Sequence, residues 1–152
     1  MDFLIFDLAG ERYALNASAV EEIRVWEGAT PLPTLPAYVL GVVNLRGIIV
    51  PLIDLRARFG LAAIKPGKTS VVVYLNLPGH QHRIGLLVDN VQDMINIPAG
   101  SQLQPPGFGA SIDVGFIESM FEGPYGLVLV LAMDALMDPD VMFRPLQSVQ
   151  AG

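Results

Sequence analysis

The sequence predicts an all-β protein, and three observations support that prediction. Apolar runs of strand length, rich in valine and isoleucine, recur along the whole chain and are bounded by glycine, proline or polar residues. Helical patterns are few and short. Hydrophobic residues make up 52% of the 152 positions and charged residues only 16%, which excludes an intrinsically disordered chain. Nine or ten short strands in one small chain are typical of a β-barrel or β-sandwich.

The predicted strands are short segments that can pair with their neighbours along the chain. Gly10-Glu11 and the stretch 78–82 have the composition of hairpin loops, so each is predicted to join two adjacent strands. In chain order the predicted strands are 3–8, 13–16, 23–26, 39–45, 48–55, 71–77, 84–91, 94–97 and 127–133.

Only short helices are predicted between these strands. Ser18 and Glu21 form a capping-box pattern, in which the serine caps the first turn and the glutamate reaches back, so a short helix is predicted from about residue 19. Asp54 and Gly60 provide start and stop signals around a second helix over 55–59.

The last third of the chain has fewer regular patterns of apolar residues. A third short helix is predicted over 134–137. The segment 98–112, which holds three prolines and three glycines, is predicted to be a loop that crosses between elements.

An internal repeat suggests that two similar units are present. Gly47 begins an apolar strand that ends at Asp54 and a short helix, and Gly126 begins a second apolar strand that ends near Asp134. Two copies of a strand followed by a capped helix would suit two similar small barrels, although so short a repeat can also arise by chance.

The composition indicates which classes of partner and which cellular compartment are expected for this chain. The net charge of −6 argues against nucleic acid or an anionic membrane surface as the main partner, because both require a basic patch. The chain has no cysteine, hence no disulfide framework or thiolate metal site. The N-terminal run has no basic leader, and the apolar stretch 40–55 contains Arg46 and Asp54, so a cytoplasmic location without direct membrane insertion is expected.

The sequence offers little for catalysis. His80 and His82 are the only histidines and fall in a predicted hairpin loop; they are either two solvated turn residues or two ligands of a site that lacks a third. A small β-barrel enzyme or ligand carrier built on these histidines is therefore one hypothesis. The chain has no Gly-x-Ser-x-Gly elbow, cysteine nucleophile or His-Glu-x-x-His motif, so we expect no catalytic residues, cofactor or metal.

Arg46 stands in the most apolar neighbourhood of the chain. A buried arginine without a partner is costly, so Arg46 must either pair with an acid such as Glu22 or Asp54 or reach the surface. Its chemistry alone leaves a structural ion pair and an exposed binding residue both open. Two small barrels have little interior for so many hydrophobic residues, so some apolar surface should remain exposed, which favours a protein-binding module.

The stretch 37–61, AYVLGVVNLRGIIVPLIDLRARFGL, resembles the signature of the CheW family, the bacterial chemotaxis coupling proteins. The resemblance extends over residues 3–137 and includes FLIF with ERY, VEEI, IGLLVDNV and the pair Phe116-Ile117 in the expected order. Three departures lie in the last third: Ser119 stands where a glycine is common, Ala132 stands where a polar or acidic residue is usual, and the tail over 138–152 does not resemble the family's usual terminal helix.

The resemblance implies two intertwined five-stranded SH3-like β-barrels with a few short helices, forming a single domain over 1–137 followed by a tail over 138–152. It implies a non-enzymatic adaptor that links the regulatory domain of a CheA-type histidine kinase to the cytoplasmic tips of chemoreceptors, as a monomer or with weak self-association. Such adaptors also serve other arrays, so a scaffold for type IV pilus motility control is the alternative function.

The resemblance also implies two groups of site residues. The first group is associated with kinase and receptor coupling, and Glu22 and Arg46 within it are expected to form an ion pair near the surface. The second group is associated with a groove that receives a receptor helical hairpin. Several members could instead be structural: Val71 and Val91 as core residues, Gly85 as a bulge or close strand approach, and Gly41 and Gly47 for backbone geometry. The coupling group is Val20, Glu22, Gly41, Asn44, Arg46 and Gly47, and the groove group is Val71, Gly85 and Val91.

Overall fold

A computed structural model describes residues 1–61, 66–76, 83–98, 100–103, 116–124 and 126–133. The predicted helix over 134–137, the histidine loop and the tail over 138–152 lie outside the described residues. The strands of the described part are β1 (Asp2–Leu8), β2 (Glu11–Asn16), β3 (Val20–Val25), β4 (Val39–Leu45), β5 (Ile48–Asp54), β6 (Val71–Asn76), β7 (Arg83–Val88), β8 (Asn90–Asn96), β9 (Ile117–Gly123) and β10 (Gly126–Leu131), and the α-helix α1 is Leu55–Arg58.

The strands form two five-stranded sheets, as expected for two intertwined β units. Sheet I has the strand order β8-β1-β2-β10-β9, and sheet II has the order β3-β6-β7-β5-β4. The chain begins in sheet I with the β1–β2 hairpin, builds all of sheet II, and then returns to complete sheet I with β8, β9 and β10. The two sheets are therefore interleaved along the sequence.

The two sheets share one topology, which extends the internal repeat seen in the sequence. Strands β3, β4, β5, β6 and β7 of sheet II correspond in position to β8, β9, β10, β1 and β2 of sheet I. Each sheet contains one parallel pair, β5 with β7 and β10 with β2, and its other pairs are antiparallel. The strands that begin at Gly47-Ile48 and at Gly126 thus occupy equivalent positions.

Side chains alternate between the two faces of a sheet along each strand. In both sheets, buried apolar residues occur on both faces. A central core contains residues of sheet I such as Phe6 and Leu15 together with residues of sheet II such as Val73 and Leu86. Each sheet has a second buried cluster on its opposite face. The sheet I outer core is Phe3, Ile5, Ala14, Phe121, Val128 and Val130, and the sheet II outer core is Leu45, Val50, Leu52, Val72, Tyr74 and Leu87.

The helix predicted from residue 19 was wrong. Asn16, not Ser18, caps a 3₁₀ turn over Ala17–Ala19, and its Oδ1 accepts hydrogen bonds from the Ser18 backbone N–H at 3.0 Å and the Ser18 hydroxyl at 2.9 Å. From Val20 onward the chain is strand β3 and pairs with β6. The strand ladder satisfies the backbone amides that the predicted helix would have used, so a tertiary contact overrides a local capping pattern.

Other element boundaries also differ from the predictions. The run 84–91 is divided at Asp89 between β7 of sheet II and β8 of sheet I, and β8 absorbs most of the predicted strand 94–97. Strand β9 was not predicted. Within the predicted loop 98–112, Leu103 exchanges two backbone hydrogen bonds with Met120, at 2.7 and 3.0 Å.

The second predicted helix is confirmed. The side chain of Asp54 accepts hydrogen bonds from the backbone N–H groups of Arg56 and Ala57, and Gly60 follows the helix with a φ of 76°. Ser119, the departure from the family pattern, is buried, and its hydroxyl donates to Gln102 Oε1 at 3.0 Å.

In the part of the chain that the structure describes, no helix has the length and apolar character needed to cross a membrane.

Candidate functional site

The candidate site is built on the tight turn between β4 and β5. Arg46 and Gly47 are its two central residues, and both have positive φ, at 52° and 86°. Two positive φ values are typical of the type I′ turn, whose twist matches that of the strands it joins. The Asn44 side chain supports this turn, because its Oδ1 accepts a hydrogen bond from the Gly47 backbone N–H at 2.7 Å.

Glu22 lies between two arginines next to this turn. Arg46 Nη2 is 2.8 Å from Glu22 Oε1, and Arg24 Nε donates a hydrogen bond to Glu22 Oε2 at 2.9 Å. The pKa of Glu22 is lowered, chiefly by the Arg24 hydrogen bond; burial opposes this shift, and the charges of Arg24 and Arg46 add to it. The predicted ion pair between Glu22 and Arg46 is therefore confirmed.

The ion pair lies at the surface. The Arg46 side chain is 62% exposed, whereas that of Glu22 is 20% exposed. The sequence left two outcomes open for Arg46, pairing with an acid or reaching the surface. In the structure Arg46 does both. Asp54, the other acid considered, is occupied as the cap of α1.

Arg24 was not among the predicted site residues. Its side chain is 42% exposed and shares Glu22 with Arg46. A signal was present, because residues two apart on a strand point to the same face, which places Arg24 beside Glu22 on β3.

The Arg24 side chain borders an open cleft of about 700 Å³ above the sheet II outer core, and Asn44 and Leu45, which precede Arg46, also line it. Arg24 and Glu27 contribute charged groups to its wall, and Leu52, Val72 and Tyr74 contribute apolar surface. Burial raises the pKa of Tyr74, which is 5% exposed, and the charge of Arg24 partly opposes that shift. The cleft thus combines charged and apolar groups.

Exposed apolar side chains surround the same region. Ile23 and Val25 on the edge strand β3 are 42% and 59% exposed, and Ile48, next to the turn, is 39% exposed. These residues agree with the expectation that some hydrophobic surface would remain outside the cores. Charged groups beside exposed apolar ones are typical of protein interfaces.

The predicted groove residues lie on both faces of sheet II and on sheet I. Val71 on β6 and Val91 on β8 are half-buried against the central core. Gly85 on β7 is buried and faces the opposite side of the sheet, where an added Cβ would lie 2.5 Å from Leu52 Cδ2 and 2.9 Å from Val72 Cγ1. The structure therefore brings Val71 and Val91 to the central core and Gly85 to the sheet II outer core.

Val20 and Gly41 occupy structural positions as well. Val20 is half-buried against the central core and pairs with Leu75. Gly41, with a φ of 153°, packs against backbone: an added Cβ would lie 2.5 Å from the Thr30 carbonyl oxygen. This close approach allows Thr30 and Val42 to exchange backbone hydrogen bonds of 2.9 and 2.8 Å, which fix the loop before β4.

Among the described residues, no group of three or more histidine, cysteine or acidic side chains is placed to hold a metal ion. His80 and His82 lie outside the described residues, so the hypothesis built on them stays a prediction.

Comparison with known proteins assigns the chain to a family. The family model described as the CheW-like domain matches residues 2–140. The chain belongs to the CheW family. The signature stretch of this CheW-like domain forms β4, β5 and α1, so it encodes the candidate turn, the hairpin that holds it and the capped helix that follows.

Curated relatives and a solved structure agree with this assignment. The chain is 32% identical over 136 residues to the "Chemotaxis protein CheW" of Rhizobium meliloti (strain 1021), covering 89% of this chain and 86% of the relative. It is 31% identical over 142 residues to the protein of the same name from Klebsiella aerogenes, covering 93% and 84%. The crystal structure of the scaffolding protein TtCheW from Thermoanaerobacter tengcongensis matches with a TM-score of 0.81 and 31% identity, over 90% of this chain and 92% of that one.

Proposed function

We propose that this CheW-like domain is a non-enzymatic chemotaxis adaptor that couples a CheA-type histidine kinase to the cytoplasmic tips of chemoreceptors. Relatives named as chemotaxis proteins and a structural neighbour described as a scaffolding protein support the proposal. The adaptor works in the cytoplasm beside membrane receptor arrays and uses no cofactor, because its role is to hold two partners together.

The observation that carries the proposal is the surface-exposed pair of Glu22 and Arg46. An ion pair that only stabilised the fold would gain little at such an exposed site, since surface pairs contribute little to stability. Arg46 is nevertheless held in a left-handed conformation, which costs a side-chain-bearing residue roughly 1–2 kcal/mol. A constrained arginine presented next to exposed apolar side chains such as Ile48 suits recognition of a partner carboxylate.

We assign the turn and its surroundings to coupling, with Asn44 and Gly47 shaping the turn and Glu22 orienting Arg46. Exposed Ile23 and Val25 supply apolar contact for the kinase regulatory domain at this end of sheet II. We place the receptor helical hairpin against Val71 and Val91, which are half-buried beside the central core, in a helix-in-groove arrangement.

The test is a titration of the 152-residue chain against the kinase regulatory domain and, separately, a receptor-tip fragment, both from the same genome. Arg46→Ala should weaken binding to at least one partner by about tenfold, because it removes the exposed guanidinium. Arg12→Ala is the matched control, since Arg12 contacts Asp7 at 3.8 Å on the other sheet and carries the same charge.

Binding of both partners by the wild type, weakened by Arg46→Ala and not by Arg12→Ala, would establish the adaptor function. Binding of neither partner would contradict it, and the type IV pilus receptors would be titrated next. Equal loss with both arginine variants would contradict the assignment of the turn.

A further inference from the structure

Helix α1 carries side chains that contact residues of both sheets. It follows β5 directly, and its cap Asp54 fixes its direction. Leu55 and Phe59, at its two ends, are both buried in the central core. The rings of Tyr13 on β2 and Phe116 before β9 lie 5.6 and 5.2 Å from that of Phe59, so aromatic contacts join the helix to sheet I.

The first arginine of α1 makes a two-point contact with the residue where the chain changes sheets. Arg56 Nε donates to Asp89 Oδ1 at 3.1 Å, and Arg56 Nη2 donates to Asp89 Oδ2 at 2.5 Å. Asp89 is the single residue between β7 of sheet II and β8 of sheet I. A two-point guanidinium–carboxylate contact fixes both distance and orientation.

Asp89 also binds the first hairpin of sheet I. Its Oδ2 accepts a hydrogen bond from the Ala9 backbone N–H at 3.0 Å, and its own N–H donates to the Asp7 carbonyl oxygen at 3.1 Å. One carboxylate therefore connects α1 of sheet II to the β1–β2 turn of sheet I. The Arg56 side chain is only 14% exposed, so solvent screens this contact less than the Arg46 pair.

The second arginine of α1 makes a contact of a different kind. The guanidinium carbon of Arg58 lies 4.7 Å from the centre of the Tyr38 ring and 4.8 Å from that of the Phe116 ring. Tyr38 precedes β4 of sheet II, whereas Phe116 precedes β9 of sheet I. The Arg58 guanidinium thus makes cation–π contacts with a residue next to sheet II and a residue next to sheet I.

We propose that α1 sets the relative orientation of the two sheets, and that Arg56 and Asp89 are positioning residues for receptor binding. The inference rests on the proposed function, because it concerns the groove in which the receptor hairpin is placed. Asp89 directly follows Val88, the strand partner of Val71, and precedes Val91 by two residues. A change in the angle between the sheets would therefore alter the groove without altering a contact residue.

The first test measures the sheets directly and needs no partner. The chain contains no cysteine, so spin labels can be placed on Ile48→Cys and Leu127→Cys, which are exposed and occupy equivalent positions in the two sheets. Arg56→Ala, and the milder Arg56→Lys should the first fail to fold, is expected to shift or broaden the label-to-label distance distribution. An unchanged distribution in a folded variant would overturn the inference.

Arg83→Ala is the matched control for this measurement. Arg83 Nε donates to Glu21 Oε2 at 2.6 Å, and both residues belong to sheet II, so their contact stays within one sheet. The control removes the same charge and a similar ion pair, and it should leave the distance distribution unchanged. If Arg83→Ala shifts the distance distribution as much as Arg56→Ala does, then the loss of any ion pair changes the sheet orientation. That result would also overturn the inference.

The second test distinguishes a positioning role of Arg56 in receptor binding from a general contribution of Arg56 to the stability of the fold. Arg56→Ala should raise the Kd for the receptor-tip fragment about tenfold while changing the Kd for the kinase regulatory domain by less than about twofold. Equal losses for both partners, or an unchanged receptor Kd despite a shifted distance, would overturn the positioning role. Failure of the wild type to bind either partner would instead contradict the proposed function, and the distance measurement would still decide whether α1 sets the orientation.

Discussion

At the scale of the residue, Arg46 and Ala9 share an uncommon backbone conformation. Both have a φ of 52°, and each is followed by a glycine with positive φ in a two-residue hairpin turn. Turns of this geometry favour asparagine or glycine at the first central position, because those residues tolerate the left-handed region. The geometry of the turn therefore does not favour arginine at position 46.

We therefore expect Arg46→Asn to leave the melting temperature unchanged or to raise it by about 2–4 °C, while weakening partner binding. The lost surface ion pair contributes little to stability, and the turn gains a better-suited residue. Ala9→Asn is the control, since it should have the same thermal effect without weakening binding. Calorimetry together with the binding titration checks both, and a large fall in melting temperature for Arg46→Asn would indicate a structural ion pair.

Gly41 and Gly85 differ in what surrounds them. An added Cβ at Gly85 meets the ends of the Leu52 and Val72 side chains, whereas at Gly41 it meets the backbone of Thr30. Overpacking of a filled core costs about 1–3 kcal/mol, and backbone can yield less than side chains. We expect Gly85→Ala to lower the free energy of unfolding within that range and Gly41→Ala to lower it more, as urea denaturation would measure.

Gly10→Ala is the comparison variant, because nothing lies within 4 Å of its added Cβ and only its positive φ opposes the substitution. A smaller loss for Gly41→Ala than for Gly10→Ala would contradict the importance of the Thr30 contact. If Gly85→Ala is strongly destabilising, any loss of receptor binding in that variant reflects packing and not a groove contact.

At the scale of the element, α1 depends on one ionised carboxylate at the junction of the sheets. Burial raises the pKa of Asp89, but the Arg56 hydrogen bond, the Ala9 N–H and the charge of Arg56 outweigh it, so the pKa lies below its ordinary value of 3.8. A carboxyl with a lowered folded pKa stabilises the fold above its unfolded pKa. That stability is lost as the pH falls through the folded pKa.

Asp89→Asn should therefore lower the free energy of unfolding at neutral pH, and its difference from the wild type should shrink below about pH 4. Urea denaturation over a pH series measures this difference directly. The same substitution introduced into Arg56→Ala should have a much smaller effect, because the guanidinium partner is already gone. A difference that stays constant down to acid pH would contradict an ionised Asp89 in the folded state.

At the scale of the whole molecule, the central core makes the two sheets depend on each other. Side chains from both sheets meet in it, and sheet I is completed only after the chain has passed through sheet II. Neither sheet keeps its buried face without the other. We therefore expect one cooperative unfolding transition rather than two.

The single tryptophan, Trp26, makes this expectation measurable, because it packs against the sheet II outer core. Its fluorescence and the far-UV circular dichroism of both sheets should change at the same urea concentration. A Trp26→Phe, Phe121→Trp variant moves the fluorescent probe to the sheet I outer core and should give the same midpoint. Separate midpoints for the two probes would contradict a shared core.

The sequence alone determined the features that depend on neighbouring residues. Apolar runs bounded by turn residues predicted most strands, and Asp54 with Gly60 predicted α1, because caps and stop signals act within one or two turns of helix. The contiguous signature over 37–61 identified the family resemblance. The need of Arg46 for an acidic partner, together with that resemblance, predicted the pair with Glu22.

Only the tertiary structure decided the features that join distant parts of the chain. The ladder with β6 turned the predicted helix after Ser18 into β3, and the division at Asp89 placed β7 and β8 in different sheets. The contact between Arg56 and Asp89 joins residues 33 positions apart. Local patterns cannot specify such pairs, because many strands and charges in the sequence are compatible with one another and the topology determines which of them meet. Burial then determines how strong each contact is.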